Sequence, residues 1–515
     1  MELSSGCRLS PGADELQHLH IDVPGIDVEC HGHMAADGGT PPSIAGDAGG
    51  LGRVVRGFAT LAVSNLASQL IGFAVLAYVA RRTGAGNLGA YTFALLLAGY
   101  FNLFSRVGID YLATRDIAQD RSGLGSIVGD TLVLQGVLSA ILYIALIALA
   151  PLLVANREVQ RMIPIVGLTL LTSTFTLDWA LFALGRSGSV ALWRLIGQVV
   201  YAALIPAFVI EGESGVFHYA WLNILGLVVT SVGLIWVFSR AAATRLRVSR
   251  PRALLRRLRR SLPFGYSLVM IQIYGGVGTL MVGYLDSTRA VGIYAIAAKL
   301  PLALVALANV WLNVFFPHTA RRLAADPQSF TRDLGRIITA TLVIATAAAA
   351  GAFLCAGTLM TAMFGAAFHA AAEPFALLSV AAALVLLQAN FSIVLLAAGS
   401  QRYFAVIMTV AAATMVLANV ILIPLFGTVG AATSTVLGEC CLTTLTLIGV
   451  RRRLGPISLD ATRLARGGIT VAIMCLAMIG ARSLGGAAAQ VGVGLTSFVA
   501  AAWMLRVFDL ALIRR

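Results

Sequence analysis

The sequence predicts an all-α polytopic membrane protein of about fourteen transmembrane helices, arranged as two parallel six-helix lobes followed by two C-terminal helices. Three observations predict it. Of 515 residues, 58% are hydrophobic and only 12% charged, too little polar surface for a soluble chain of this length. Apolar stretches near the roughly 20 residues that cross a bilayer follow one another from residue 57 onward. The pattern also occurs twice. Gly89-Ala90-Tyr91 opens the second stretch and Gly292-Ile293-Tyr294 opens its counterpart. Leu204-Ile205-Pro206 returns as Leu422-Ile423-Pro424, and Arg186 follows Gly185 as Gln401-Arg402 follow Gly399. Duplicated helical bundles in a membrane are the architecture of alternating-access carriers, so the repeat points to transport.

Residues 1–52 are rich in Gly, Asp, His and Pro and read as a disordered cytoplasmic tail. Within it His18, His20, His31 and His33 with Cys30 read as incidental polar composition rather than a metal site. The first lobe, 53–239, holds spans at about 57–80, 89–112, 127–153, 162–184, 189–210 and 216–238. A basic linker, 240–261, leads to the second lobe, 262–450. Its spans fall at about 262–285, 290–317, 337–364, 375–398, 403–426 and 428–449. Residues 451–515 carry two more, at about 467–484 and 490–511. The six cysteines have neither disulfide nor zinc spacing, and no cofactor motif is present. The polar first 50 residues and the long first apolar run predict an uncleaved signal anchor.

A net charge of +14 would suit nucleic acid, but its distribution argues against it. Arginines crowd alternate loops: Arg53, Arg56, Arg115, Arg121, Arg186, Arg402, Arg451, Arg452, Arg453 and nine linker arginines fall on one side. The other side holds only Arg81, Arg82, Arg157, Arg161, Arg289 and Arg482. Basic loops stay in the cytoplasm, which places both termini and the linker there. An even span count in each half makes the repeat parallel, with its pseudo-axis along the membrane normal. The linker either only sets this topology or also binds anionic headgroups. Outer loops of about 4 to 12 residues leave no room for a catalytic domain. Walker A, GxSxG and HExxH patterns are missing, so the chain reads as a non-enzyme driven by an ion gradient, the membrane potential or substrate flux.

A charge at the bilayer centre costs about 2.5–3.5 kcal/mol even on the lenient insertion scale, so ionisable residues within spans are candidates for function. Lys299, the only lysine in the chain, lies about ten residues into the eighth span with Pro301 just beyond. It reads as a cavity cation for an anionic headgroup, the other reading being a side chain snorkelling to an interface. Asp178 in the fourth span is open between an ion pair, a proton carrier and a structural helix–helix bond. Arg106 and Asp110, four apart, are expected to share one helix face as a self-neutralising pair or at the cavity mouth. Arg81 and Arg82 end the first span on the side poor in arginine, and suit either phosphate oxygens or a plain exposed loop. Arg194 lies about one and a half turns into the fifth span, as a headgroup contact or a snorkelling side chain.

Several ordered segments then resemble a known family. ARRTGAGNLGAYTFA ends the first span, RVGIDYLATRDIAQDR follows the second, TLDWALFALGR closes the fourth, and VGIYAIAAKL and NVFFPHTARR bracket the eighth. Over about 53–510 they resemble the polysaccharide (O-antigen-type) flippases of the multidrug/oligosaccharidyl-lipid/polysaccharide exporter superfamily. The resemblance implies a central cavity between two lobes in the bacterial inner membrane. It implies translocation of an undecaprenyl-diphosphate-linked oligosaccharide from the cytoplasmic to the outer leaflet by ion-coupled alternating access. Membrane lipids, a polysaccharide polymerase and chain-length machinery are the implied partners. Lys299, Arg81, Arg82, Arg106 and Arg194 are then the headgroup candidates, and Asp178 and Asp110 the coupling candidates. A lipid II flippase and a multidrug cation antiporter of the same superfamily are the alternatives. A major-facilitator carrier fits less well, since GIDYLATRDIAQDR lacks that group's loop pattern.

Overall fold

The computed structural model describes residues 48–242, 244–303, 305, 319, 326–483 and 485–507. The expected tail up to residue 47, the end of the eighth span and the final residues lie outside them. The chain divides into Met1–Arg53 and Val54–Arg515, and the architecture below is that of the second unit. Among the described residues every regular element is helical.

Two helices are each two spans. α1 (Ala48–Arg106) has 59 residues and holds non-helical torsions at Gly84 (φ 77°, ψ 172°). A straight helix of that size would reach about 90 Å, some three times the apolar thickness of a bilayer. The later 54-residue helix Gln401–Leu454 breaks in the same way at Gly427 (φ 55°, ψ −130°). There the chain turns back on itself: a Cβ on Gly430 would stand 2.1 Å from the Leu422 carbonyl oxygen. In an unbroken helix those residues would lie about 12 Å apart.

The remaining N-lobe helices are α2 (Ile109–Gln119), α3 (Leu124–Leu153), α4 (Arg157–Thr174), α5 (Asp178–Ala183), α6 (Ser187–Phe208) and α7 (Glu213–Ala242). α8 (Pro251–Leu285) carries the linker into the C-lobe. There follow α9 (288–303), α10 (Pro327–Phe364), α11 (Ala372–Ala397) and α12, the kinked Gln401–Leu454. α13 (Ala461–Gly480) and α14 (Ala487–Met504) complete the chain. With α1 and α12 counted as hairpins and α4–α5 as one broken span, these are the fourteen expected spans in the expected order.

One sequence expectation fails locally. The second span does not run to residue 112 as a single helix: α1 ends at Arg106, and Val107 (φ 39°) and Gly108 (φ 70°) are left-handed before α2 begins. Arg106 and Asp110 therefore meet across a break, not along a helix face. Hydrophobic periodicity continues through such a short break, so the apolar pattern alone does not reveal it.

The duplication is written in the backbone. Gly185 (φ 74°) and Gly399 (φ 70°) end corresponding spans in the left-handed region. Each is followed by the same pair of capping bonds. Gly185 and Arg186 amides donate to the Phe182 and Leu181 carbonyls, and Gly399 and Ser400 amides to Leu396 and Leu395. This is the Schellman arrangement, in which a residue without Cβ takes the left-handed position at no steric cost. The two motif tyrosines are equally buried, each 5% exposed. Tyr91 packs on Tyr219 with ring centroids 4.8 Å apart, and the Tyr294 hydroxyl lies 3.2 Å from that of Thr435. Tyr219 and Thr435 occupy equivalent last helices of their lobes.

Packing differs between the two ends of the molecule. At the arginine-poor end one continuous core joins both lobes, including Val79, Leu88, Tyr91, Leu146 and Ile205 with Val291, Tyr294, Phe364, Phe368 and Ile423. Toward the arginine-rich end the core separates. Ile117, Val128, Leu181, Val190 and Leu234 form an N-lobe cluster, and Leu334, Ile338, Leu395, Ile407 and Val450 form a C-lobe cluster. The lobes thus share one core at one end and have separate cores toward the other, where α8 still bridges them: a Cβ on Gly265 would lie 3.0 Å from the Val107 carbonyl oxygen.

Candidate functional site

The closed end is formed by the two glycines of the repeated Gly-x-Tyr motif. A Cβ on Gly89 would lie 1.7 Å from the Thr288 carbonyl oxygen and 2.8 Å from the Gly292 amide nitrogen. A Cβ on Gly292 would lie 2.1 Å from the Ala85 carbonyl oxygen and 3.0 Å from the Gly89 amide nitrogen. The contact is reciprocal, as a pseudo-two-fold axis between equivalent segments requires. Around it Phe73 packs edge-on to Phe364 at 5.6 Å. Arg81 reaches across the lobes, its Nε donating to the Met363 carbonyl at 2.9 Å and its Nη2 to the Ala362 carbonyl. Those carbonyls end α10, where unpaired oxygens and the helix dipole favour a cation.

Lys299 lies on the same face of α9 as Gly292, seven residues and about 10 Å farther along the helix. Gly292 faces the N-lobe, so Lys299 lies on the N-lobe side of α9, below the closed end. It is exposed there, with Leu302 and Ala303 on the same side. About 16 Å of α9 separates it from the start of the helix, close to the middle of the bilayer. Among the described residues its ammonium has neither an ion-pair nor a hydrogen-bond partner.

The other six charged candidates are all engaged. Arg82 pairs with Glu211 at 2.8 Å on an exposed loop. Arg106 donates to Asp110 Oδ2 at 2.8 Å, to the Ser173 carbonyl at 2.9 Å and to the Thr176 hydroxyl at 3.0 Å. Asp110 also accepts from Gln135. Arg194 pairs with Asp178, whose second oxygen accepts the Trp179 amide at 3.1 Å. Both pairs sit where backbone groups are freed, at the Val107–Gly108 break and between α4 and α5. Arg106→Ala should lower stability by on the order of 2–3 kcal/mol, because it leaves the buried Asp110 carboxylate without its opposite charge, with only Gln135 still donating to it. Thermal unfolding of the purified variant measures this.

The C-lobe holds a carboxylate that sequence reading passed over. Glu439 is 5% exposed within α12 and accepts from the Tyr274 hydroxyl of α8 at 2.7 Å. Among the described residues its second oxygen has no partner, nor does the buried Thr443 hydroxyl one turn on. Nearer the Gly427 turn of the same hairpin Asn419 is fully buried, and neither of its amide atoms has a partner among the described residues. Buried polar groups are rarely left so, and this cluster is the polar centre of an otherwise apolar lobe.

The family model of polysaccharide biosynthesis proteins matches residues 54–322, just over half of the chain. The chain belongs to that family. Solved structures share its fold. One is the lipid II flippase MurJ in an inward closed conformation, with TM-score 0.69 and 12% identity over 87% of this chain and 98% of that one. Another is a multidrug resistance MATE family transporter of the MOP superfamily in an inward-facing conformation, at 0.56 and 16% over 75% and 94%. A mutant of the Vibrio cholerae MATE transporter VcmN aligns at 0.52 and 13% over 78% and 98%. No curated protein matches the chain by sequence. At these identities the likeness to solved structures is one of fold, and it is the fold of the superfamily named from the sequence segments.

For this family member the sequence signal for Glu439 was present but masked. It is a single acidic residue in a long apolar run, and nothing in the sequence shows that it is buried against α8. Tyr274 is its hydrogen-bond donor.

Proposed function

We propose that this protein is a flippase that carries an undecaprenyl-diphosphate-linked oligosaccharide from the cytoplasmic to the outer leaflet, for surface polysaccharide assembly. The observation that carries the reading is Lys299, a cation between the lobes just below the closed end that has no partner among the described residues. A diphosphate offers the anionic oxygens that such an ammonium lacks, and charge-assisted bonds to it are the strong ones. Membership of a polysaccharide biosynthesis family supports a glycan cargo. The arginine-rich end is cytoplasmic under the positive-inside rule, so the space between the lobes receives its substrate from the inner leaflet. The flipped product passes to the polymerase and chain-length machinery. A lipid II flippase would use the same cation between the lobes, but the family match favours the polysaccharide precursor. A cation antiporter would present an acid where Lys299 stands.

Coupling is assigned to the Glu439 cluster rather than to Asp178 or Asp110, whose charges are already neutralised by arginine. Exchanging a proton or a cation at Glu439 would alter how α8 and α12 pack. Glu439→Gln should remove the response of transport to collapse of the ion gradient, while leaving the protein inserted; ionophore sensitivity in reconstituted vesicles reads this out.

Deletion of the gene tests the proposal directly. The cell should lose surface polysaccharide and accumulate lipid-linked repeat units in the inner leaflet, with peptidoglycan synthesis unaffected. Arrest of peptidoglycan synthesis with normal surface polysaccharide would select the lipid II reading instead.

A further inference from the structure

The linker between the lobes is held rigidly against the N-lobe. The Arg247 amide donates to the Gly125 carbonyl at 3.1 Å, and the Ser249 amide to Asp130 Oδ1 at 2.7 Å. Asp130 is buried, 4% exposed. Backbone touches backbone here: a Cβ on Gly125 or Gly129 would stand 2.4 or 2.2 Å from the Arg245 or Arg247 carbonyl oxygen. At Pro251 the segment becomes the first turns of α8, with proline at the position where a missing amide costs nothing. Arg257 fastens this part too, donating to the Ile127 carbonyl at 3.2 Å and lying 3.8 Å from Asp116.

Docking turns one face of the segment to the protein and leaves the other bare. Leu254, Arg257, Leu258 and Ser261 are wholly or partly buried, whereas Arg252, Leu255, Arg256, Arg259 and Arg260 are exposed on the opposite face. Arg245, Arg247 and Arg250 extend the exposed row, interleaved with Leu246 and Val248, 50% and 58% exposed. Among the described residues none of these seven exposed arginines has an ion-pair partner. A face of arginines mixed with leucine and valine, continuous with a membrane span, fits the boundary between headgroups and acyl chains. A purely topogenic linker needs the charge but has no need of a fixed orientation or of outward-facing apolar residues.

We propose that residues 245–260, clamped on the N-lobe, form a binding surface for anionic phospholipid headgroups of the leaflet at the arginine-rich end. The surface anchors the N-lobe to the membrane while the C-lobe moves. Each arginine near an anionic surface contributes roughly a fivefold gain in affinity, so several together give a marked preference for anionic over zwitterionic lipid. Arg257 belongs to the clamp and is left intact in the test.

The test uses full-length protein in nanodiscs of phosphatidylcholine doped with phosphatidylglycerol, with retained lipid counted by native mass spectrometry after delipidation. Wild type should retain phosphatidylglycerol over phosphatidylcholine, and that preference should fall at least tenfold in the quadruple variant Arg252→Gln, Arg256→Gln, Arg259→Gln, Arg260→Gln. The matching arginine-to-lysine variant should keep most of it, which separates charge from misfolding. Changing Arg451 and Arg452 to glutamine, which removes two charges from a basic run outside the linker, should leave it intact. Equal retention of both lipids by wild type, an unaltered preference in the quadruple glutamine variant, or an equal loss at Arg451 and Arg452 would each overturn the proposal. Because the readout is lipid retention, failure here is distinct from failure of the flippase reading, which turns on surface polysaccharide.

Discussion

Replacing Gly292 by alanine should force the arginine-poor end of the molecule apart. The added Cβ would sit 2.1 Å from the Ala85 carbonyl oxygen, and the equivalent change at Gly89 would meet the Thr288 carbonyl at 1.7 Å. These obstacles are backbone atoms on opposite lobes, so no rotamer change relieves them, and the lobes must separate by roughly 1 Å or more. Overpacking of this kind costs about 1–3 kcal/mol, enough to shift a two-state equilibrium by about ten- to a hundredfold. The same contact should be needed twice per cycle, so transport should fall steeply in either variant. A cysteine at Ala85, which is 6% exposed, reports the change. In a background lacking the native cysteines it should resist an impermeant maleimide in the parent protein and react in Gly292→Ala. Arg81→Ala, which removes the clamp on Ala362 and Met363, should move the labelling in the same direction by a smaller amount.

The second large effect is expected at Lys299. Its removal costs the fold little, since the ammonium has no partner among the described residues. Lys299→Ala should unfold within about 0.5 kcal/mol of the parent. Function should respond quite differently. A charged hydrogen bond to a diphosphate contributes about 1.5–3 kcal/mol, so transport should drop by about ten- to a hundredfold. Lys299→Arg keeps the charge and should retain part of the activity. The measurement is surface polysaccharide in a complemented deletion strain, normalised to membrane-inserted protein. Unchanged stability with lost polysaccharide distinguishes a substrate contact from a structural residue; neither Arg106→Ala nor Arg194→Ala should show that combination.

The repeat and the span order were legible because both rest on hydrophobic length, which lipid enforces strictly. The matched motifs also carried three-dimensional content: Gly89 meets Gly292, and Gly185 and Gly399 cap their helices alike. Charged side chains were harder to read. Sequence places Arg106, Arg194, Asp110 and Asp178 inside the membrane, but cannot say that each has a partner 16 or fewer residues away across a helix break. Arg81 was even less accessible, because its acceptors are carbonyls 281 and 282 residues distant in the other lobe. Backbone acceptors leave no trace in composition. Glu439 shows the converse: a lone acid in an apolar run is legible in the sequence, whereas its Tyr274 partner, 165 residues away, is not.

The central claim is that a symmetric frame presents Lys299, which has no partner among the described residues, to the substrate at its seam. It is tested most directly in proteoliposomes holding a fluorescent undecaprenyl-diphosphate oligosaccharide, by following the loss of inner-leaflet signal with the parent protein, Lys299→Ala and Lys299→Arg. Translocation by the parent, partial translocation by the arginine variant and a rate at least about tenfold lower for the alanine variant are the predicted results. Translocation by Lys299→Ala at the rate of the parent would contradict the claim.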